Sequence, residues 1–154
     1  MTVEAKLAEL GLALPDPPQP LGNYTAVSEA GDLLFISGQV PLVNGTLAWA
    51  GQVGRDLTVE QGREAARAAA LNVLAQIARH PGGFERLERI VRVEGHVSSA
   101  EGFFGQADVL DGASDLFARV LGEKAGHARS AFSHAQLPVN ATVELVVIAR
   151  MRKA

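Results

Sequence analysis

Cysteine is absent from all 154 residues, which removes disulfides, thiolate metal sites and cysteine nucleophiles together. Basic residues are few and scattered, and 14 Lys and Arg against 17 Asp and Glu leave a net charge of -3. A nucleic-acid footprint requires a basic face, so neither a nucleic-acid partner nor ribonuclease activity is expected. No apolar run approaches the roughly 20 residues that span a bilayer. The opening Met-Thr-Val-Glu-Ala-Lys-Leu-Ala-Glu-Leu is amphipathic and partly acidic, unlike a secretory leader. A soluble, cytoplasmic protein without a membrane partner is the resulting expectation.

Several chemical signatures are missing as well. His96, His127 and His134, with Glu94 or Glu144, show no ligand spacing such as His-Glu-x-x-His, so they are not read as a metal site. Ser130, His134 and Glu144 form a triad only on paper, because no nucleophile-elbow sequence surrounds the serine. The run from Gly122 to His127 lacks the spacing of a phosphate loop. No metal and no cofactor are called for.

What is present is an ordinary globular balance, 47% apolar and 20% charged, which excludes a disordered chain. The length suits one domain over 1–154, burying roughly 68–70% of its unfolded surface. Within it, residues 1–22 read as an N-terminal helix and a proline-rich arm. The helix, over 2–10, ends at Gly11, and residues 14–22 hold four of the seven prolines. Residues 24–28 and 33–38 read as a hairpin across Glu-Ala-Gly-Asp, with Tyr24 and Ser37-Gly38 either plain strand residues or part of a cleft. A short strand at 46–49 follows Asn44-Gly45, and Trp49 reads as a core or interface residue. Thr58 and Gln61 form a capping box, followed by Ala66, Ala69, Ala70, Val73, Leu74 and Ile77 at helical spacing. That helix stops before Pro81-Gly82-Gly83. A strand over 90–97 and a second amphipathic helix over 104–121 come next, the latter weakened at Gly112 by about 1 kcal/mol relative to alanine. Strands over 131–136 and 142–151 close the chain.

This order predicts an α/β (α+β) fold, a single mixed β-sheet with two long helices on one face. The last strand is apolar on both sides, with Val143, Leu145 and Val147 on one and Val146 and Ile148 on the other. Helices cover only one face, so a partner subunit is expected on the second.

The residues that point to chemistry lie between Gly126 and Ala149. Arg129 is read at the mouth of one strand and Glu144 inside another, joined through Leu137-Pro138 as a hairpin. Arginine offers a planar, permanently charged fork that fits a carboxylate. An acid among Val-Glu-Leu-Val-Val-Ile is costly to bury without a partner or a task. Both residues also admit plain readings, as a surface ion-pair arginine and a hydrogen-bonded strand acid.

The succession Gly22-Asn-Tyr24, Leu34-Phe-Ile-Ser-Gly-Gln-Val-Pro41, Leu71-Asn72, Val91-Arg92-Val93, Arg129-Ser130, Leu137-Pro138 and Val143-Glu144 resembles the Rid/YjgF family, also called endoribonuclease L-PSP. The resemblance covers nearly the whole chain and implies a chorismate-mutase-like fold, a homotrimer and sites in clefts between subunits. It implies hydrolysis of amino-acid-derived enamines or imines to ammonia and a 2-keto acid. A non-catalytic protein that binds or senses a small carboxylate such as a 2-keto acid is the alternative. By the same resemblance, Arg129 grips the substrate carboxylate, Glu144 positions or activates water, and Tyr24, Ser37 and Gly38 line the cleft. Asp111, Ser130 and Ala131 complete the implied substrate-binding set. Asp111 stands where the archetype has asparagine, and Ala131 where it has cysteine. The His127-Ala-Arg-Ser-Ala form marks a divergent branch, in which His127 and His134 have no assigned role.

Overall fold

The computed structural model describes every residue from Met1 to Ala154. Helix α1 (Val3–Glu9) starts at Thr2, whose hydroxyl accepts from the Ala5 amide, and gives way to Gly11 at φ 71°. Leu7 on its inner face is fully buried. Strands β1 (Val27–Ala30) and β2 (Leu33–Gln39) form an antiparallel hairpin turning at Gly31-Asp32. The strand expected over 24–28 therefore begins later, and Tyr24 lies in a turn ahead of it. The small hairpin β3 (Leu42–Val43) and β4 (Thr46–Leu47) turns through Asn44 and Gly45, both at positive φ, and stands outside the main sheet.

Helix α2 (Val59–Arg79) carries the expected capping box. Thr58 accepts from the Gln61 amide, and the Gln61 side chain accepts from the Thr58 amide. Its inner face is largely alanine, with Ala65, Ala66, Ala69 and Ala70 at zero exposure, so the helix lies close on its neighbours. A short helix α3 (Gly83–Arg86), not foreseen in the sequence, leads directly into β5 (Leu87–Ser98). Glu29 ties this corner down: it receives Arg86 and lies 2.5 Å from His80 Nε2. These hydrogen bonds, Arg86 first and His80 second, hold its carboxyl below the ordinary carboxylate range.

Helix α4 (Gln106–Leu121) starts two residues later than expected. Strands β6 (Ala128–His134) and β7 (Val143–Met151) follow. The sheet order is β1-β2-β7-β5-β6, antiparallel except for β5 and β6, which run parallel. Two expectations are corrected here. β6 begins at Ala128, not 131, so Arg129 is inside the strand. β6 and β7 are also not a hairpin, because β5 lies between them and pairs with both. A connection through Leu137-Pro138 carries the chain over the end of β5. It is held by Gly51 N–H on Asn140 O, the Thr142 hydroxyl on Gly51 O and the Gln52 side chain on Ala135 O.

Helices α2 and α4 pack on one face of this mixed sheet, as the pattern predicts. Val93, Val97, Val143, Leu145 and Val147 point into that layer at zero exposure. The other face carries Phe35, Val146, Ile148 and Phe132, and nothing in the chain covers it. Phe35 and Phe132 are each 41% exposed.

Gly112 has a second consequence that its helix propensity hides. A Cβ there would overlap the Arg63 carbonyl of α2, so the helices cross with backbone against backbone. Gly112→Ala should therefore destabilise the fold, despite a propensity gain of about 1 kcal/mol, because overpacking costs about 1–3 kcal/mol. Urea denaturation checks this, and a variant as stable as wild type would show that the crossing is loose.

Candidate functional site

Alternation along β6 and β7 decides where the candidate residues point. Successive side chains of a strand face opposite sides. Arg129 is paired with buried Val93 and faces the helix layer, whereas Glu144 is paired with His96 and alternates with buried Val143 and Leu145. Arg129 and Glu144 are thus on opposite faces, with β5 between their strands. They do not meet within one chain. The structure divides the sequence-predicted residues into two groups.

The first group surrounds Arg129, whose side chain is 22% exposed. Ala107, Asp111 and Ser114 recur at i, i+4 and i+7 on α4, so they form one stripe of the helix. Each gives Arg129 an acceptor: Nη1 donates to Asp111 Oδ1 at 2.8 Å and to Ser114 Oγ at 3.1 Å, and Nη2 to the Ala107 carbonyl at 3.3 Å. His127 lies behind Ser114. Its Nδ1 is 2.5 Å from the Ala125 carbonyl and its Nε2 is 2.9 Å from Ser114 Oγ. A carbonyl only accepts, so Nδ1 carries a proton; in the neutral ring Nε2 then accepts from Ser114, and the Ser114 oxygen is left to receive Arg129. The ring is further seated edge-on against Phe117 at 6.1 Å. Ala131, two residues on, shares this face. Ser130 does not: it faces the other side and accepts from Arg92 at 2.9 Å.

Arg129 is left with unused donors. Nε makes no intramolecular bond and Nη2 uses one of its two hydrogens. Nε–H and the remaining Nη2 hydrogen are thus donors unused within the chain, of the kind that bind a carboxylate. Ser114 and His127 escaped sequence reading as parts of this group. The i, i+4, i+7 stripe of α4 was the available signal for Ser114.

The second group surrounds Glu144. Tyr24, Ser37, Gly38 and Glu144 line one open cleft of about 330 Å³, walled by Pro18, Pro20 and Leu21 of the arm and by Val139. The sheet is irregular between Ile36 and Gln39, and there the Glu144 carboxylate lies against the backbone of Gly38, where a Cβ would overlap it. Ser37 is a tether, its hydroxyl donating to the Thr25 carbonyl at 2.7 Å. Tyr24, half exposed, accepts from the Leu21 amide through its hydroxyl at 3.2 Å. Two buried amides on α2 hold the walls. Asn72 donates to the Val40 and Leu42 carbonyls, and Gln76 donates to the Pro18 carbonyl. Val139 reaches the rim through an uncommon φ of 54° for a β-branched residue.

Between the groups, the uncovered face carries a polar row that the sequence did not reveal. His96 Nδ1 is 2.8 Å from His134 Nε2, His96 stacks on Phe132 at 5.0 Å, and Arg92 bonds Glu94. No group of three or more His, Asp or Glu side chains is placed to hold a metal ion, and no helix is long and apolar enough to cross a membrane.

Comparison with known proteins gives consistent results. Residues 4–151 match the model of the family described as "YjgF/chorismate_mutase-like, putative endoribonuclease". The protein TCP17 of Trypanosoma cruzi is 42% identical over 144 residues, covering 93% of this chain and 90% of that protein. The Agrobacterium tumefaciens protein Atu1372, of unknown function, is similar with a TM-score of 0.91 at 41% identity, over 97% of this chain and 92% of the other. A Shewanella oneidensis structure named a "putative endoribonuclease" gives a TM-score of 0.94 at 36% identity, over 97% and 99%.

The role of Gly38 can be checked directly. A crystal structure of Gly38→Ala should show the Glu144 carboxylate swung away from β2 with the sheet intact. A carboxylate still in its original place would mean that another residue fixes it.

Proposed function

The chain belongs to the YjgF/chorismate-mutase-like family, and from that membership and its two separate half-sites we propose a homotrimeric, cofactor-independent hydrolase of carboxylate-bearing imines or enamines. One observation carries the reading. Arg129 and Glu144, the anion-binding fork and the open carboxylate, sit on opposite faces of one sheet whose outer face is uncovered. In a closed ring of subunits, the Arg129 side of one chain meets the Glu144 cleft of its neighbour, and the outer apolar faces are buried against each other.

In this mechanism Arg129 binds the substrate carboxylate through its Nε–Nη2 edge and fixes the adjacent C=N carbon in the neighbouring cleft. Protonation on nitrogen makes that carbon electrophilic, so holding it beside water supplies much of the acceleration. Glu144 accepts a proton from the water as its oxygen bonds to carbon, and the C=N π pair moves to nitrogen. The carboxylic acid then returns its proton to the nitrogen. The C–N bond breaks, the oxygen becomes a carbonyl, and the hydroxyl proton leaves with ammonia as ammonium. The products are a 2-keto acid and ammonium.

Steady-state ammonia release from imines generated out of small amino acids tests this assignment, because the two residues are expected to fail differently. Glu144→Gln should lower kcat by about 10²–10⁴-fold with little change in ligand affinity. Arg129→Lys should weaken binding about ten- to hundredfold, because a point charge does not reproduce the fork. Wild-type kcat in Glu144→Gln would remove that residue from the mechanism. Tight 2-keto acid binding with no turnover of any imine would make the protein a carboxylate-binding module.

A further inference from the structure

The acid beside Arg129 bears on which carboxylates the site accepts. Asp111 is 45% exposed and uses only Oδ1 on Arg129. Its second oxygen has no protein partner, although it is held within a few ångströms of the fork by the same contact. Positioning the arginine does not require a charge there. Ser114 and the Ala107 carbonyl already take two of its hydrogens, and a neutral amide oxygen would serve as well as Oδ1. What the carboxylate adds is a negative charge on the Nη1 side of the guanidinium, beside the Nε–Nη2 edge where the ligand carboxylate arrives.

We propose that Asp111 is a specificity-determining residue that makes this half-site a reader of zwitterions, ligands with a carboxylate and a cationic nitrogen on the neighbouring carbon. The inference rests on the carboxylate-binding role of Arg129 proposed above. The ligand carboxylate lies on the Nε–Nη2 edge, and its cationic nitrogen offsets the repulsion between that carboxylate and the Asp111 charge on Nη1. The Arg129–Asp111 pair, neutral as a whole, then accepts a ligand that is neutral as a whole. A plain 2-keto acid offers the same carboxylate but no cation. It meets the Asp111 carboxylate as a like charge with nothing to offset the repulsion. For an imine hydrolase this favours the protonated, electrophilic form of the substrate over the keto-acid product, so that hydrolysis itself weakens the product's hold.

Calorimetric titration with L-alanine and pyruvate, which differ chiefly at the nitrogen-bearing position, separates the possibilities at equilibrium without turnover. Wild type should prefer alanine by about tenfold or more at low salt, with the preference shrinking as salt rises. Asp111→Asn should bind pyruvate more tightly and lose the preference for alanine. A wild type that prefers pyruvate, or an alanine-to-pyruvate ratio unchanged by Asp111→Asn, would overturn the inference and leave Asp111 as a positioning residue only. Failure of both ligands to bind either protein would overturn the role of Arg129, and this inference with it. Binding as expected in a protein that hydrolyses no imine would refute the hydrolase reading alone.

Discussion

The two-residue period of a β-strand is the constraint from which the rest of the account follows. Arg129 pairs with Val93 and Glu144 with His96. Val93 faces the helices and His96 does not, so the arginine and the acid are committed to opposite faces. The insertion of β5 between their strands adds a lateral separation of roughly 10 Å, two inter-strand spacings. No side-chain rearrangement brings them together, because a change of face requires a one-residue slip that would expose Val143, Leu145 and Val147. The core that stabilises the sheet therefore also separates its two chemical groups.

Each half is held by a different helix. On the arginine side, α4 supplies three acceptors from one stripe, and His127 orders the Ser114 hydroxyl so that its oxygen faces the guanidinium. On the carboxylate side, α2 sends Asn72 and Gln76 through the core to the β2 end and the proline arm. The arm has little regular structure of its own. Fixing it through a buried amide gives the cleft a wall without a strand. The crossing of α2 and α4 at Gly112 couples the two supports, since both helices must lie at that spacing for either group to be in place.

Much of this was legible in the sequence where one strong local rule operated. The capping box at Thr58 and Gln61, the Asn44-Gly45 turn and the Gly11 stop each reflect short-range geometry, and each appears where expected. The layered arrangement followed from the order of apolar patterns. What failed was pairing. Strands joined by Leu137-Pro138 read as a hairpin, whereas β5 lies between them, and nothing local encodes a strand contributed forty residues earlier. Tyr24 looked like a strand residue because an aromatic near β-branched neighbours suits a strand, yet pairing begins only at Val27, and the Tyr24 hydroxyl instead closes a local contact with the Leu21 amide. Gly112 looked like a weakness because only its helix propensity is visible without its neighbour. Among the site residues, family resemblance pointed to Arg129, Asp111 and Glu144, while the open side of Ser130 emerged only from the register and the Ser114–His127 support only from the side-chain contacts.

The central claim, that the arginine of one subunit works with the acid of another, is tested most directly by mixing subunits. Arg129→Lys and Glu144→Gln chains are unfolded together in equal amounts, refolded, and assayed for ammonia release from an imine substrate. If sites are shared around a three-fold ring, each mixed trimer regains one site with both native residues, and random assembly should restore about a quarter of wild-type activity. Activity no higher than that of the two variants assayed separately would contradict the account and show that Arg129 and Glu144 do not share a site between subunits.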